Sequence, residues 1–378
     1  MRAFLKGFVH EARRLVSTPK YLVMLFLLLL MSWITTEIYQ GLVIRDVPVV
    51  VFDRDGSGLS RTLRRYIDAT REVEVVQVPI SSVEDAQALL TRGEVAAVVL
   101  IPSSFSTDLK HGREPRVLVA IDGSNIVIAK NVSKAISTAI GTVSAGVQIT
   151  VARKLGLPEE EAMAAVVPIT VDENDMFNPA TNYAVYIVPA ATFFLLHVYA
   201  MLLFASVFLP DDPSPGIAHR AGRISAIGVT SFLLGVAFFA LLMPHAHITV
   251  QSSLGVASVV LVAFLVAEAL SIAALARVLP GPLFAFQVTI ILNMLALMFS
   301  GITWPTDMFP QPLQQLAAWL PFTPFADALR MFIHEPLQLE QLHGPLRQLG
   351  QQALVFAGLI AAGHVARRTI PALRRRFA

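Results

Sequence analysis

The placement of apolar runs constrains this chain more than any other feature. One runs from Tyr21 to about Tyr39, some 140 mostly polar residues follow, and five more fall between Tyr183 and His364. A stretch of 19 residues at about 1.5 Å per residue reaches the ~30 Å thickness of a bilayer's hydrocarbon layer. Its core, YLVMLFLLLLMSWI, carries no charge, so it reads as a spanning helix. The pattern as a whole predicts one membrane anchor, a large water-exposed domain and a helical bundle.

Composition excludes a soluble fold: 55% of the residues are hydrophobic and 15% charged, against about 25% charged in soluble domains. There is no cysteine, which excludes disulfides, a thiol nucleophile and Cys-ligated metal. The basic leader (Arg2, Lys6, Arg13, Arg14, Lys20) would suit a signal peptide. The apolar run behind it is too long for one, however, and ends in Trp33, Ile34 and Glu37 instead of a small-residue cleavage site. It reads as a retained anchor.

Charge sets the expected orientation. Residues 41–182 hold 14 Lys and Arg against 18 Asp and Glu, while the remainder holds 15 against 9. With the amino terminus inside, 13 of those 15 cations fall on inner segments: the leader, Arg220, Arg223, Arg277, and Arg367, Arg368, Arg374, Arg375 and Arg376 of the tail. This is the positive-inside pattern, and it places residues 41–182 outside. The spans expected are 21–40, 183–209, 224–243, 254–277, 283–301 and 349–366, six in all, with both termini cytoplasmic and a basic tail over 367–378.

The 41–182 domain reads as α/β. Strand-like runs at Val47–Phe52, Val73–Val78, Val95–Ile101 and Val117–Ile121 alternate with helical patterns at about Gly58–Ala69, Ser82–Thr91 and Ser103–His111. That alternation predicts a small mixed or parallel sheet flanked by helices. A long helix from Ile126 to about Leu155 follows, then a shorter one over Pro158–Val166.

Five segments, taken in order, resemble the permease subunits of ABC-2 type ABC exporters, in the branch with a large extracytoplasmic insertion between the first two spans. They are VPVVVFDRDGSGLSRTL (47–63), EDAQALLTRGEVAAVVLIPSSFSTDLKHG (84–112), VLVAIDGSN (117–125), FNPATNY (177–183) and SGITWPTDMFPQPLQQLAAWLPFTPFADALR (300–330). The resemblance covers nearly the whole chain, and the last segment is its most specific part. It implies an α-helical membrane protein of six spans with an inserted α/β domain. Such a subunit, in the inner membrane of a bacterium, would move a hydrophobic or amphipathic substrate outward. The implied partners are cytoplasmic ABC ATPases, a second permease subunit of the same or a homologous kind, membrane lipid and a periplasmic adaptor, with no nucleic acid. ATP and Mg would sit on the ATPase, and no cofactor on this chain.

The residues carry parts of that reading by themselves. Residues 1–20 set Phe4, Leu5, Phe8, Leu15 and Val16 against Arg2, Lys6, Arg13 and Arg14, an amphipathic helix suited to a membrane surface. In the resembled family this is the elbow helix, bordering the ATPase groove, with Arg13 and Arg14 here. A mere topogenic leader would explain the charges but not the amphipathicity. The family's coupling helix would fall at Pro210–Arg223, with Asp211, Asp212, His219, Arg220 and Arg223 as candidate contacts. Three prolines and two glycines in those fourteen residues argue against a long helix there. The departure leaves open a non-coupling subunit of a heterodimeric permease. A membrane-anchored periplasmic docking protein is a further alternative.

At the outer end, Pro305, Pro310, Pro312, Pro321 and Pro324 break any continuous span, and Trp304, Phe309, Trp319 and Phe322 suit an interface. Residues 302–330 therefore read as short, broken or re-entrant helices, either a gate (Trp304, Pro305, Phe309, Pro310, Pro321) or a plain interfacial loop. In them Leu313, Leu316, Ala317 and Leu320 are expected on one face and Gln311, Gln314 and Gln315 on the other. Within the spans His197 and Glu268 stand out, because an ionisable group at mid-bilayer costs about 2.5–3.5 kcal/mol on insertion scales, and Asn293 is a further polar candidate. Glu268 and Asn293 are at comparable depth, so a hydrogen bond between them is geometrically possible, and the polar groups serve either as interhelical glue or as part of a pathway.

Covalent chemistry finds little support. Asp55-Gly56-Ser57-Gly58 lacks the lysine of a phosphate-binding loop and reads as a turn and helix cap. His10-Glu11 and His245-Ala246-His247 lack further metal ligands. Asn131-Val132-Ser133 matches a glycosylation acceptor by chance, inside an expected helix.

Overall fold

The computed structural model of the protein describes residues 1–39, 44–79, 82–111, 113–158, 160–161, 163, 182–208 and 216–376, with side chains described as far as residue 366. The chain forms two compact units, Met1–Gly41 with Met176–Ala378, and Leu42–Asp175.

The first unit is helical. Helix α1 (Arg2–Ser17) is followed at Thr18 by α2 (Pro19–Tyr39). After the second unit come α7 (Tyr183–Ser206), α8 (Ile217–Ala237), α9 (Leu254–Val278), α10 (Pro282–Phe299), α11 (Gln311–Ala317), α12 (Phe322–His334) and α13 (His343–Arg376). Side-chain caps start two of them: Asn182 accepts from the Ala184 amide at 2.9 Å, and Ser253 from that of Val256 at 3.3 Å. Helix α10 begins instead at Gly281, whose φ of 83° suits glycine, with Pro282 in the first helical position. Helix α7 is the centre of the bundle, buried along most of its length. Phe193 packs on Phe239 and Phe325 at centroid distances of 4.4 and 5.6 Å. Helix α8 continues through a π-helical turn, Phe238–Leu242, to His245. The turn carries Phe238 and Phe239, both buried against α7.

The second unit is a four-stranded sheet of β1 (Val47–Asp53), β2 (Val73–Val75), β3 (Ala97–Ile101) and β4 (Leu118–Ile121), in the order β2-β1-β3-β4. Strand β1 is parallel to β2 (Val49 beside Val75) and to β3 (Val51 beside Val99), and β4 runs antiparallel to β3 (Val99 beside Val119). The sheet is therefore mixed. Its helices are α3 (Gly58–Asp68), α4 (Val83–Thr91), α5 (Phe105–Lys110) and α6 (Ile126–Lys154). Side chains alternate across the pleat. Val49, Val99 and Ile101 pack on Leu63 and Ile67 of α3 and Val132 and Ile136 of α6, while Val50 and Val98 pack on Ala86 and Leu89 of α4. Ser57 caps α3, a reciprocal Ser82–Asp85 box caps α4, and Asn125 caps α6.

Among the described residues seven helices are long and apolar enough to cross a membrane. The one outside the six expected spans is α6, which buries Val132, Ala135, Ile136, Ala139 and Val143 beside the sheet. The other helix bounds fall within a few residues of expectation, apart from two earlier starts and the end of the last helix at Arg376, well past the expected 366 and into the expected tail. Helix α8 begins at Ile217, so residues 217–223, where no long helix is expected, are helical; the three prolines precede them, and Gly216 ends the break. The last helix starts at His343, before the expected 349.

Candidate functional site

The tightest helix contact in the membrane unit joins α1 to the first turns of α8. Gly7 and Gly222 make it possible. A Cβ on Gly7 would collide with the carbonyl oxygen of His219, and one on Gly222 with that of Phe4. The buried stripe of α1 is accordingly Gly7, Glu11 and Leu15, one residue per turn. Leu5 and Val16, expected on the membrane-facing apolar side, are 59% and 71% exposed.

The small residues bring a charged pair together. Arg223 Nε donates to Glu11 Oε2 at 2.5 Å, and both side chains are fully buried. Arg14 Nη1 is 3.6 Å from the same carboxylate oxygen and its guanidinium lies 5.2 Å from the Tyr21 ring centroid, while the rings of His10 and His219 are 5.8 Å apart. Arg223 thus cannot be a surface contact, contrary to its reading as a coupling-loop residue, because it is enclosed by α1. His219 is half-buried, and Arg220 and Arg13 are exposed. Asp211 and Asp212 lie outside the described residues, as do residues 177–181 of the FNPATNY segment and much of the expected 158–166 helix. Glu11 went unrecognised in the sequence, since its partner is 212 positions away.

A second buried pair sits deep in the bundle. Glu268 Oε1 of α9 lies 2.8 Å from His197 Nδ1 of α7, with the two side chains 1% and 0% exposed. The two groups are close but not aligned for a hydrogen bond. The imidazole stacks on Phe322 of α12 at 4.9 Å, with Phe194 and Phe264 each 5.8 Å away. The Glu268–Asn293 hydrogen bond that comparable depth allows does not form. Asn293 Nδ2 donates instead to the Thr289 carbonyl at 2.8 Å, one turn back in α10. His197 takes its place because α7, at the bundle centre, is the nearer neighbour of α9's buried face.

Between α10 and α13 the chain forms a 3-10 turn (Thr306–Met308), α11 and α12, the short broken helices that the prolines predict. Gly301, with φ of 77°, ends α10, and Thr323 Oγ1 donates to the Phe299 carbonyl at 3.1 Å. Trp304, Pro305 and Pro310 are exposed, Phe309 packs edge-on to Phe299 at 5.5 Å, and buried Pro321 caps α12. The face expected of α11 is only partly right. Ala317 and Leu320 are buried, but Leu313 and Leu316 are 38% and 37% exposed. Gln314 turns inward, donating to the carbonyls of Asp307 and Phe309 at 3.0 and 2.8 Å. Such bonds satisfy backbone that no helix ladder covers. Helix α12 buries Phe322, Phe325 and Phe332 completely, and Ser252 ties its far end down, donating to the Glu335 carbonyl at 2.6 Å and accepting from the Leu337 amide at 2.9 Å.

Among the described residues no three His, Asp or Glu side chains converge as a metal site. His245 Nε2 contacts Glu37 Oε1 at 2.8 Å, an exposed pair joining the end of α2 to that of the α8 extension. At Asp55–Gly58 the chain makes a turn, with Gly56 at φ of 61° and Ser57 capping α3.

A family model described as ABC-2 family transporter protein matches residues 20–362. The chain belongs to this family. It is accordingly a multi-pass membrane protein and the permease component of an ABC transporter, a class of subunit that associates with an ABC ATPase. The matched range takes in every element of the ABC-2 permease from α2 through most of α13, the His197–Glu268 pair and the α11–α12 segment included, and leaves α1 just outside it. No curated protein and no solved structure matches the chain.

Proposed function

We propose that this permease subunit exports a hydrophobic or amphipathic substrate across the inner membrane, powered by separate cytoplasmic ATPases, in a dimer of two permease subunits. The observation that carries the reading is the α1–α8 joint. A buried ion pair and two glycines fasten α1 to a helix that runs from Ile217 to His245, 29 residues and about 44 Å. Arg2, Lys6 and Arg13 of α1 stand exposed with Leu5 and Val9, a basic, partly apolar surface for an ATPase. An ATPase pressing there would move α1 and α8 as one body. At its far end the π-helical turn sets Phe239 against Phe193 of α7 and Phe332 of α12, at 4.4 and 5.3 Å, so a displacement at one end of the bundle reaches the broken helices at the other. The chain itself makes and breaks no covalent bond.

The positive-inside distribution supports cytoplasmic termini, six spans and a periplasmic 41–182 domain. In that arrangement α6 is part of the periplasmic domain, and the burial of its apolar face beside the sheet explains why a helix of spanning length need not span. His197 and Glu268, enclosed by phenylalanines, serve as glue between α7 and α9 in this closed packing. Inside-out vesicles containing the permease and a co-expressed ABC ATPase test the direction: a fluorescent amphiphile should accumulate in them only with ATP. ATP-independent uptake, or uptake by right-side-out vesicles alone, would exclude export.

A further inference from the structure

The α/β unit contains an open groove of about 660 Å³ between α3, α5 and α6, within the ~300–1,000 Å³ range of small-molecule sites. We infer that it binds a single-chain amphiphile with an anionic headgroup. Its walls are apolar, formed by Leu59 and Tyr66 of α3, Leu109 of α5, and Val143, Val147 and Val151 of α6. Gly146 keeps the α6 wall open, since nothing lies within 4 Å of where its Cβ would be. Tyr66 and Val151 remain 48% and 47% exposed, apolar surface that an alkyl chain would remove from water.

Charge selects the headgroup. Residues 41–182 carry more acidic than basic side chains, 18 against 14, yet among the described residues the groove is lined by Lys110 and Lys154 and by no carboxylate. Each lysine lies in the last turn of its helix, where a cation offsets the helix dipole. That accounts for either lysine separately; both nonetheless line this one groove. An acyl chain along α6 with its carboxylate or phosphate among the lysines satisfies both features.

The site goes beyond the transport reading and does not depend on it, so its test needs no ATPase. The full chain in lipid nanodiscs is irradiated with a diazirine-bearing palmitate, and labelled peptides are mapped by mass spectrometry. Labelling is expected within 142–155. It should fall at least tenfold in Gly146→Leu and in the pair Lys110→Glu with Lys154→Glu, and at least tenfold when the probe is the corresponding uncharged alcohol. The charge-reversed pair should in turn gain labelling by a diazirine-bearing alkyl ammonium, which a misfolded variant would not. Labelling confined to the spanning helices, or equal labelling by acid and alcohol, would overturn the inference. So would spontaneous disulfide-linked dimers of Thr150→Cys in this otherwise cysteine-free chain, because a second copy would then cover the groove.

Discussion

At the scale of single residues, the Glu11–Arg223 pair is the most exposed to test. Removing one partner of a buried ion pair typically costs about 3–5 kcal/mol, whereas replacing both with apolar residues of similar size is often neutral. Glu11→Ala should therefore lower the thermal stability of the purified permease and free α1 to proteolysis, while Glu11→Leu with Arg223→Leu should recover most of the loss. Equal damage from single and double variants would mean that the pair is not the fastening. In the α/β unit, burial pushes the Asp55 carboxyl up, but hydrogen bonds from Ser57 and Ser106 prevail and hold it below the ordinary range. A depressed folded-state value stabilises above the unfolded value, about 3.9, and that contribution is lost as pH falls below it. Acid unfolding of Asp55→Asn, followed by circular dichroism, should lack this component below about pH 4; an unchanged profile would contradict the assignment. The charges were legible in the sequence one at a time. His197 and Glu268 stood out because a charge in an apolar run must be explained, and Arg223 as a coupling-loop cation, but the pairings were not legible, since nothing in local spacing relates Glu11 to Arg223 or Glu268 to His197.

At the scale of elements, the glycine crossing predicts a steric effect separable from charge. Gly222→Leu leaves both ions in place yet puts a side chain where α1's backbone runs. A spin label at Arg13→Cys should then move away from one at Ile224→Cys by several ångström in electron resonance distance measurements. An unchanged distance would show that α1 accommodates the bulk. Periodicity made most elements readable, because an apolar run of about twenty residues and a period-two strand each permit one solution. It failed at residues 217–223, where the upstream prolines argued against a long helix although proline disrupts only its own helical neighbourhood. On α1 periodicity marked the amphipathic helix but not its protein contact, which runs through Gly7 and Glu11 instead of the large apolar residues.

At the scale of the whole molecule, the proposed topology puts Thr150 outside and Arg220 inside. The absence of native cysteine allows a clean check: a membrane-impermeant maleimide should label Thr150→Cys in permeabilised-outer-membrane cells, and Arg220→Cys only after the inner membrane is opened. The reverse pattern would invert the assignment. The family was legible from motif order along the chain, whereas the seven candidate spans of the structure show why hydropathy alone does not fix the span count. The central claim is that ATP hydrolysis on a separate subunit drives this permease through the α1–α8 joint. It is tested most directly by co-purifying the chain with a co-expressed ABC ATPase in lipid nanodiscs and measuring hydrolysis. The account predicts a stable complex whose ATPase rate drops severalfold in Glu11→Ala and returns in the Glu11→Leu, Arg223→Leu double variant. A complex that does not form, or hydrolysis indifferent to the joint, would contradict it.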